Sequence, residues 1–379
     1  MFENSKISLG ELIKIKALET TLQINSKEYQ LERYPKTDDK SLRAWSNAEL
    51  LILDYISDKK TNNIHLYNDR FGVFNIVLND KNLTTVWTYA SQQKAINQNL
   101  KLNNIVSDSV YKTPLDDIGK VSFALLKVPK SLELFELFLQ QIHKASEEQT
   151  IVVCGFMTKY FSVSFLKVAE QYFDEVTQSK AWKKARLLIL KKPKNIVAYK
   201  ELIKEIHWEK DLCQYYGVFS AGKVDIGTQF LLENLKVQSN EFKVLDVASG
   251  NGIIACEVVL QNSNAEVTLV DDFNLAIASS QLNLKGEKAQ FICGDNLEGL
   301  ERESYDLVVS NPPFHFEHEN NIEVALSLFK GVQKCLKPNG RFVLVANKHL
   351  NYKTHLAVIF KEVVAVAENK KFVVYECVV

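Results

Sequence analysis

Four short apolar runs in the second half of the chain end in residues able to hold a small polar molecule. Val244-Leu245-Asp246-Val247-Ala248-Ser249-Gly250-Asn251-Gly252 reads as a strand feeding a glycine turn, and Ile253-Ile254-Ala255 starts a helix. Gly250 and Gly252 carry no Cβ, so the backbone there can come close to a ligand. Glu266-Val267-Thr268-Leu269-Val270 ends in Asp271-Asp272, about 20 residues past the glycines, where a ribose-binding carboxylate belongs. Gln290-Phe291-Ile292-Cys293 ends in Gly294-Asp295-Asn296, and Tyr305-Asp306-Leu307-Val308-Val309-Ser310 ends in Asn311-Pro312-Pro313-Phe314. Polar or glycine groups thus stand at four successive strand ends, the edge on which an open parallel sheet binds its ligands. The two glycines alone fit a tight strand-to-helix turn equally well. The four ends in this order are much harder to obtain by packing.

In these residues the chain resembles the S-adenosylmethionine-dependent class I methyltransferases that act on amino nitrogens. The resemblance implies S-adenosylmethionine as cofactor. Its methionine part would lie on the turn formed by Asp246, Ser249, Gly250, Asn251 and Gly252. The ribose hydroxyls would go to Asp271, with Asp272 beside it, and the adenine amino group to Asp295, with Asn296 beside it. Ala248 departs from the pattern, because the first glycine of this turn is usual there.

Asn311, Pro312, Pro313 and Phe314 are the catalytic candidates. The exocyclic amino group of a base is a poor nucleophile, since its lone pair is delocalised into the ring. The Asn311 side-chain oxygen and the Pro312 carbonyl can each accept one N–H and aim that lone pair at a methyl donor, so the help is positional and electrostatic. The prolines stiffen the loop. Phe314 offers a face for stacking, which contributes roughly 1–3 kcal/mol, and a base inside a helix has to flip out first. The plain structural alternative is a proline-rich strand exit with Asn311 capping a turn. His315 and His318 lack a third ligand and read as loop residues, so no metal is expected. Ala346-Asn347-Lys348-His349-Leu350 has polar groups that could line the substrate side, and Cys335 reads as packing on a helix.

The elements that must position these residues read as strands and helices in alternation, which predicts α/β architecture with parallel sheets under helices. At 379 residues two domains are the default. The halves match each other. Gly72 lies 180 positions before Gly252 after a comparable strand, and Leu125 to Pro129 parallels Val308 to Pro312, 183 positions on. Trp182-Lys183-Lys184 parallels Glu368-Asn369-Lys370. The expectation is two tandem class I methyltransferase-like (Rossmann-like) domains, residues 1–192 and 193–379. The first is degenerate, because Arg70 stands where Gly250 stands and Val128 where Asn311 stands. It would serve as a scaffold or for RNA binding. Residues 9–15 fit either a helix or a strand. Gly217-Val218-Phe219-Ser220 and Asp225-Ile226-Gly227 read as a turn-rich segment near the cofactor.

Composition sets the outer limits. Hydrophobic residues make up 46% and charged ones 24%, enough to fill real cores. No run approaches the roughly 20 apolar residues of a membrane span. The N-terminal residues show no signal-peptide pattern. Six scattered cysteines without a C-x-x-C fit a reduced cytoplasm. The 46 basic residues balance 46 acidic ones, so only local charge can argue for nucleic acid. One such place is the segment from Lys180 to Lys200, with eight basic residues and no acid. It is either a solvated face or a phosphate-contacting patch.

The match narrows on Leu31-Glu32-Arg33-Tyr34-Pro35, Leu126-Lys127-Val128-Pro129-Lys130, Ala181-Trp182-Lys183-Lys184-Ala185-Arg186, Gly217-Val218-Phe219-Ser220, Asn311-Pro312-Pro313-Phe314-His315 and Ala346-Asn347-Lys348-His349-Leu350. Here the chain resembles the ribosomal RNA guanine-N2 methyltransferases of the RsmC/RlmG type. The first, third and last stretches are more similar to the large-subunit (23S) enzymes. Ala221 departs from the pattern, where an arginine commonly follows the Phe-Ser pair. The resemblance implies methylation of a guanine N2 in 23S ribosomal RNA by a cytoplasmic monomer without metal or membrane. Rival acceptors are a 16S guanine, an adenine N6 or a protein glutamine. A non-catalytic RNA-binding protein with this fold is the rival from another class.

Overall fold

The computed structural model describes residues 15–18, 20–37, 39, 41–209, 211–220, 222–312 and 322–379. Its contacts divide the chain into two compact units, Met1–Lys200 and Glu201–Val379. The expected junction after residue 192 falls inside the last strand of the first unit, so the connecting residues up to Lys200 go with that unit.

The first unit opens with an antiparallel sheet of β1 (Ile15–Leu18), β2 (Thr21–Ile24) and β3 (Lys27–Gln30). Then come α1 (Asn47–Ile56), β4 (Asn63–Tyr67), α2 (Val73–Val77), β5 (Asn82–Val86), α3 (Ala90–Leu102), β6 (Val110–Lys112), β7 (Val121–Lys127), α4 (Leu132–Lys144), β8 (Ser146–Met157), α5 (Val163–Tyr172), β9 (Phe173–Gln178) and β10 (Ala185–Pro193). Its main sheet has the order β6-β5-β4-β7-β8-β10-β9.

The second unit opens with the hairpin of β11 (Ile203–His207) and β12 (Asp211–Tyr215). It continues with α6 (Ile226–Asn234), β13 (Lys243–Val247), α7 (Ile253–Gln261), β14 (Glu266–Asp271), α8 (Asn274–Asn283), β15 (Ala289–Cys293), β16 (Tyr305–Ser310), α9 (Ile322–Cys335), β17 (Leu336–Asn347), α10 (Tyr352–Ile359), β18 (Glu362–Glu368) and β19 (Phe372–Val378). The order is β15-β14-β13-β16-β17-β19-β18, strand for strand that of the first unit.

In each sheet five strands run parallel and a closing hairpin inserts its last strand antiparallel. The all-parallel sheets read from the sequence are corrected there. A parallel return needs a long crossover, and the six residues joining β9 to β10 and the three joining β18 to β19 allow only a hairpin. Residues 337–340 lie within β17, as a bulge between the pairs Tyr305–Leu336 and Leu307–Arg341. The first unit repeats it between Val121–Ser146 and Phe123–Ile151.

Alternation along the strands of the second unit fills two cores. Val244, Leu269, Val309 and Val345 face a layer with Leu231 and Ile254, whereas Leu245, Val270, Val308 and Leu344 face Phe329 and Tyr352. Cys335 is buried in the second of these layers, as packing.

Candidate active site

Strand register lays out the site. Val247 pairs with both Val270 and Ser310, and Val270 pairs with Ile292, so these four form one row across adjacent parallel strands. One residue further on stand Ala248, Asp271, Cys293 and Asn311. Asp271 and Asn311 are therefore two strand spacings apart on one edge, about 10 Å. The period of two puts Asp246, Asp271 and Asn311 on the same face as Val244, Leu269 and Val309, the face covered by α6 and α7.

The turn from Ser249 to Gly252 is tied down from several sides. Gly250 N donates to Asp271 Oδ2 at 2.9 Å, and Phe273 N donates to Asp271 Oδ1 at 2.9 Å. The Ser280 hydroxyl donates to Gly250 O at 2.9 Å, and Asn283 Nδ2 to Asn251 O at 2.8 Å. Gly252 has φ +81°, and a Cβ there would lie 3.1 Å from Ser280 Cβ, so this glycine serves both the turn and the close approach of α8. Gly250 has φ +57° with nothing within 4 Å of a Cβ position. The Ala248 backbone takes the left-handed conformation (φ 57°) that the usual glycine would take, so the turn keeps its path at a cost of roughly 1–2 kcal/mol.

The side chains divide by what they still offer. Asp246 is fully buried; one carboxylate oxygen accepts from Ala255 N at 3.1 Å and the other has no hydrogen-bond partner. The buried Ser249 hydroxyl has none either. Desolvation, partly offset by the Ala255 bond and reinforced by Asp271, pushes the Asp246 carboxyl up from 3.8 to about 8. Desolvation also raises Asp271 to about 6, against the two backbone bonds that favour its charge. Asn251 points inward, with Nδ2 on Gln214 Oε1 (3.0 Å) and Oδ1 on Ile253 N (3.2 Å). Asp272 and Asp295 are half-buried at their strand ends, and Asn296 Oδ1 accepts from Glu298 N at 3.1 Å. Two unsatisfied buried oxygens beside an open backbone turn are what a cationic, polar ligand head would complete.

Asn311 is held from α6. Its Nδ2 donates to Thr228 Oγ1 at 2.8 Å and lies 3.4 Å from Asp225 Oδ2, which leaves Oδ1 for an incoming donor. Pro312 is buried beside it. Pro313, Phe314, His315, His318 and Ala221 lie outside the described residues. Among the described residues no three His, Cys, Asp or Glu side chains form a metal-holding group.

Sequence reading missed Gln214, Ser280, Asn283 and Thr228. It also took Asp225-Ile226-Gly227 for a turn, whereas Asp225 caps α6 and the next two residues are its first. An Asp followed by apolar and small residues is a helix-start signal that could have found it.

Over 382 aligned residues the chain is 31% identical to the Ribosomal RNA large subunit methyltransferase G of Psychromonas ingrahamii, covering 94% of this chain and 98% of that protein. The chain belongs to this methyltransferase family. Residues 19–195 match the RLMG N-terminal domain and residues 209–376 the methyltransferase small domain. A solved structure of T. thermophilus 16S rRNA N2 G1207 methyltransferase (RsmC), in complex with AdoMet and guanosine, shares the fold over 97% of both chains with a TM-score of 0.76 at 18% identity.

The first unit of this family member retains the fold but not the site. Register makes Leu66 the counterpart of Asp246, Trp87 of Asp271 and Leu115 of Asp295. Gly72 and Gly252 cap equivalent helices with φ 81° each, so Arg70 does stand at the position of Gly250. The counterpart of Asn311 is Lys127, not Val128. Leu126 and Ser310 pair with equivalent residues of β4 and β13, and the residue that follows each is Lys127 or Asn311. Aligning Pro129 with the first of the two prolines, rather than the second, had shifted the match by one. Arg70 is buried, donates to Ser91 Oγ at 2.8 Å, and stacks on Phe71 and Tyr89.

Proposed function

We propose that the second unit transfers a methyl group from S-adenosylmethionine to the exocyclic N2 of a guanine in 23S ribosomal RNA. The observation that carries this reading is the Asn311 amide, fixed on α6 at the end of β16 with its oxygen free, in a chain of the large-subunit rRNA methyltransferase family. S-adenosylmethionine supplies a methyl on a positively charged sulfur. Asp246 and Ser249 would hold its methionine head, Asp271 the ribose hydroxyls and Asp295 the adenine amino group, while the backbone of Gly250 to Gly252 gives the room. Each Asp271 oxygen accepts one backbone N–H and keeps lone pairs for a hydroxyl. Asn311 Oδ1 and the Pro312 carbonyl would accept the two N–H bonds of the guanine amine and turn its lone pair toward the methyl. The amine nitrogen gains the methyl and releases one proton to solvent, so no strongly basic side chain is required. Phe314 would stack on the flipped base.

The first unit, residues 1–192 with the connection to Lys200, would serve as scaffold and RNA-binding module of a cytoplasmic monomer that needs no metal. No helix among the described residues is long and apolar enough to cross a membrane. The test is calorimetry with S-adenosylmethionine on the wild type and on Asp271→Ala, followed by labelled-methyl transfer to protein-free rRNA and to assembled subunits. Binding that the variant loses, with label in 23S rRNA, supports the reading. Absence of wild-type binding would favour a non-catalytic RNA-binding protein, and label confined to 16S rRNA would move the substrate.

A further inference from the structure

We propose that Asp225 and Thr228 are positioning residues that set which end of the Asn311 amide faces the acceptor amine; the inference rests on Asn311 holding that amine. The Asp225 side chain caps α6, one oxygen accepting from Gly227 N at 2.9 Å and Thr228 N at 3.2 Å. That same oxygen lies 3.4 Å from Asn311 Nδ2, and the buried Thr228 hydroxyl accepts from Nδ2 at 2.8 Å. A flipped amide would turn its oxygen against a carboxylate that has no hydrogen to give. The flip is therefore disfavoured by Asp225 in particular, and the amide presents an acceptor, not a donor, to the substrate. An amine needs that acceptor.

Gly227 keeps this cap in place. A Cβ there would lie 3.0 Å from Asp225 Oδ2 and 3.1 Å from the Phe372 ring, so any side chain at this position would push the cap or the ring by a few tenths of an ångström. The arrangement also sets the residue type at 311. An aspartate there would bring a second carboxylate to the 3.4 Å contact with Asp225, whereas asparagine fits it. The first unit couples the equivalent two positions by another chemistry. Helix caps Ser46 and Asp225 correspond, which makes Glu49 the counterpart of Thr228, and Lys127 Nζ sits 3.4 Å from Glu49 Oε2.

The experiment uses the full chain, S-adenosylmethionine with a labelled methyl and 23S rRNA lacking the modification. It measures kcat in parallel with cofactor Kd by calorimetry. Thr228→Val should lower kcat about 10- to 100-fold, as loss of alignment at a reacting group does, with cofactor Kd unchanged. Thr228→Ser keeps the hydroxyl and should restore kcat. Asn311→Asp should be inactive, and adding Asp225→Asn, which still caps the helix and removes the second negative charge, should recover at least about tenfold of the loss. The inference is overturned by full kcat in Thr228→Val, by Thr228→Ser as impaired as valine, or by a double variant no better than Asn311→Asp. A wild type that binds cofactor but methylates no rRNA overturns the underlying reading instead, and the inference with it.

Discussion

Asp246 gives the most demanding prediction, because its carboxyl titrates inside the proposed cofactor site. Burial lifts it from 3.8 to about 8, and at about 1.36 kcal/mol per pH unit this opposes ionisation by roughly 6 kcal/mol. At pH 7 about nine in ten cofactor-free molecules therefore carry the proton. The positively charged amino group of the cofactor's methionine favours the ionised carboxylate, so binding must expel that proton. Two consequences can be measured. Calorimetry at pH 7 in buffers of different ionisation enthalpy should show close to one proton released per cofactor bound. Kd should weaken about fivefold from pH 8 to pH 7, and about tenfold more to pH 6, where Asp271 starts to add its own protonation. Above about pH 8 the cofactor's α-amino group loses its charge in turn, so affinity peaks near there. The Asp246→Asn variant should bind weakly with no such slope below pH 8. A flat Kd from pH 6 to 8 with no proton release would refute the reasoning, as would the same slope in the asparagine variant.

The same group bears on stability. A carboxyl whose folded pKa lies above its unfolded one contributes fully below about pH 4, and that contribution is lost as pH rises toward 8. Cofactor-free Asp246→Asn should thus melt higher than wild type at pH 8 by calorimetric scanning, although it loses binding. Asn311→Ala should lower kcat about 100- to 1,000-fold at unchanged cofactor Kd in single-turnover assays, the usual effect of removing one oriented hydrogen-bonding group. Ala248→Gly relieves a left-handed alanine and should add about 0.5–1 kcal/mol in denaturant titration. Arg70→Gly should cost the first unit about 2–3 kcal/mol by losing the Ser91 bond and two ring contacts, and calorimetry should still count one cofactor per chain.

What the sequence carried was tied to backbone geometry. The glycines and the acids at strand ends are visible because an open sheet presents its ligands there, and the duplication is visible because Gly72 and Gly252 open equivalent helices. Short amphipathic strands such as β1–β3 and the β11–β12 hairpin carry too few residues for a period-two pattern to stand out. The offset between the units changes from 180 at β4 and β13 to 184 at β5 and β14, because α7 runs Ile253–Gln261 where α2 runs only Val73–Val77, one helical turn less. At β7 and β16 the offset is again 184, so the 183-residue spacing that lines up Pro129 with Pro312 puts Val128 at Asn311, one residue past the true counterpart Lys127. The role of Thr228 was invisible for another reason. It lies 83 residues from Asn311 in the chain, and only the seating of α6 on β17 and β19, beside the end of β16, brings the two side chains together.

The most direct measurement is nucleoside analysis of rRNA after incubation with the purified chain and labelled S-adenosylmethionine. The prediction is label in 23S rRNA, recovered as N2-methylguanosine, and its absence with Asn311→Ala. Label in another nucleoside, or undiminished transfer by Asn311→Ala, would contradict the claim that this amide holds a guanine amine for methylation.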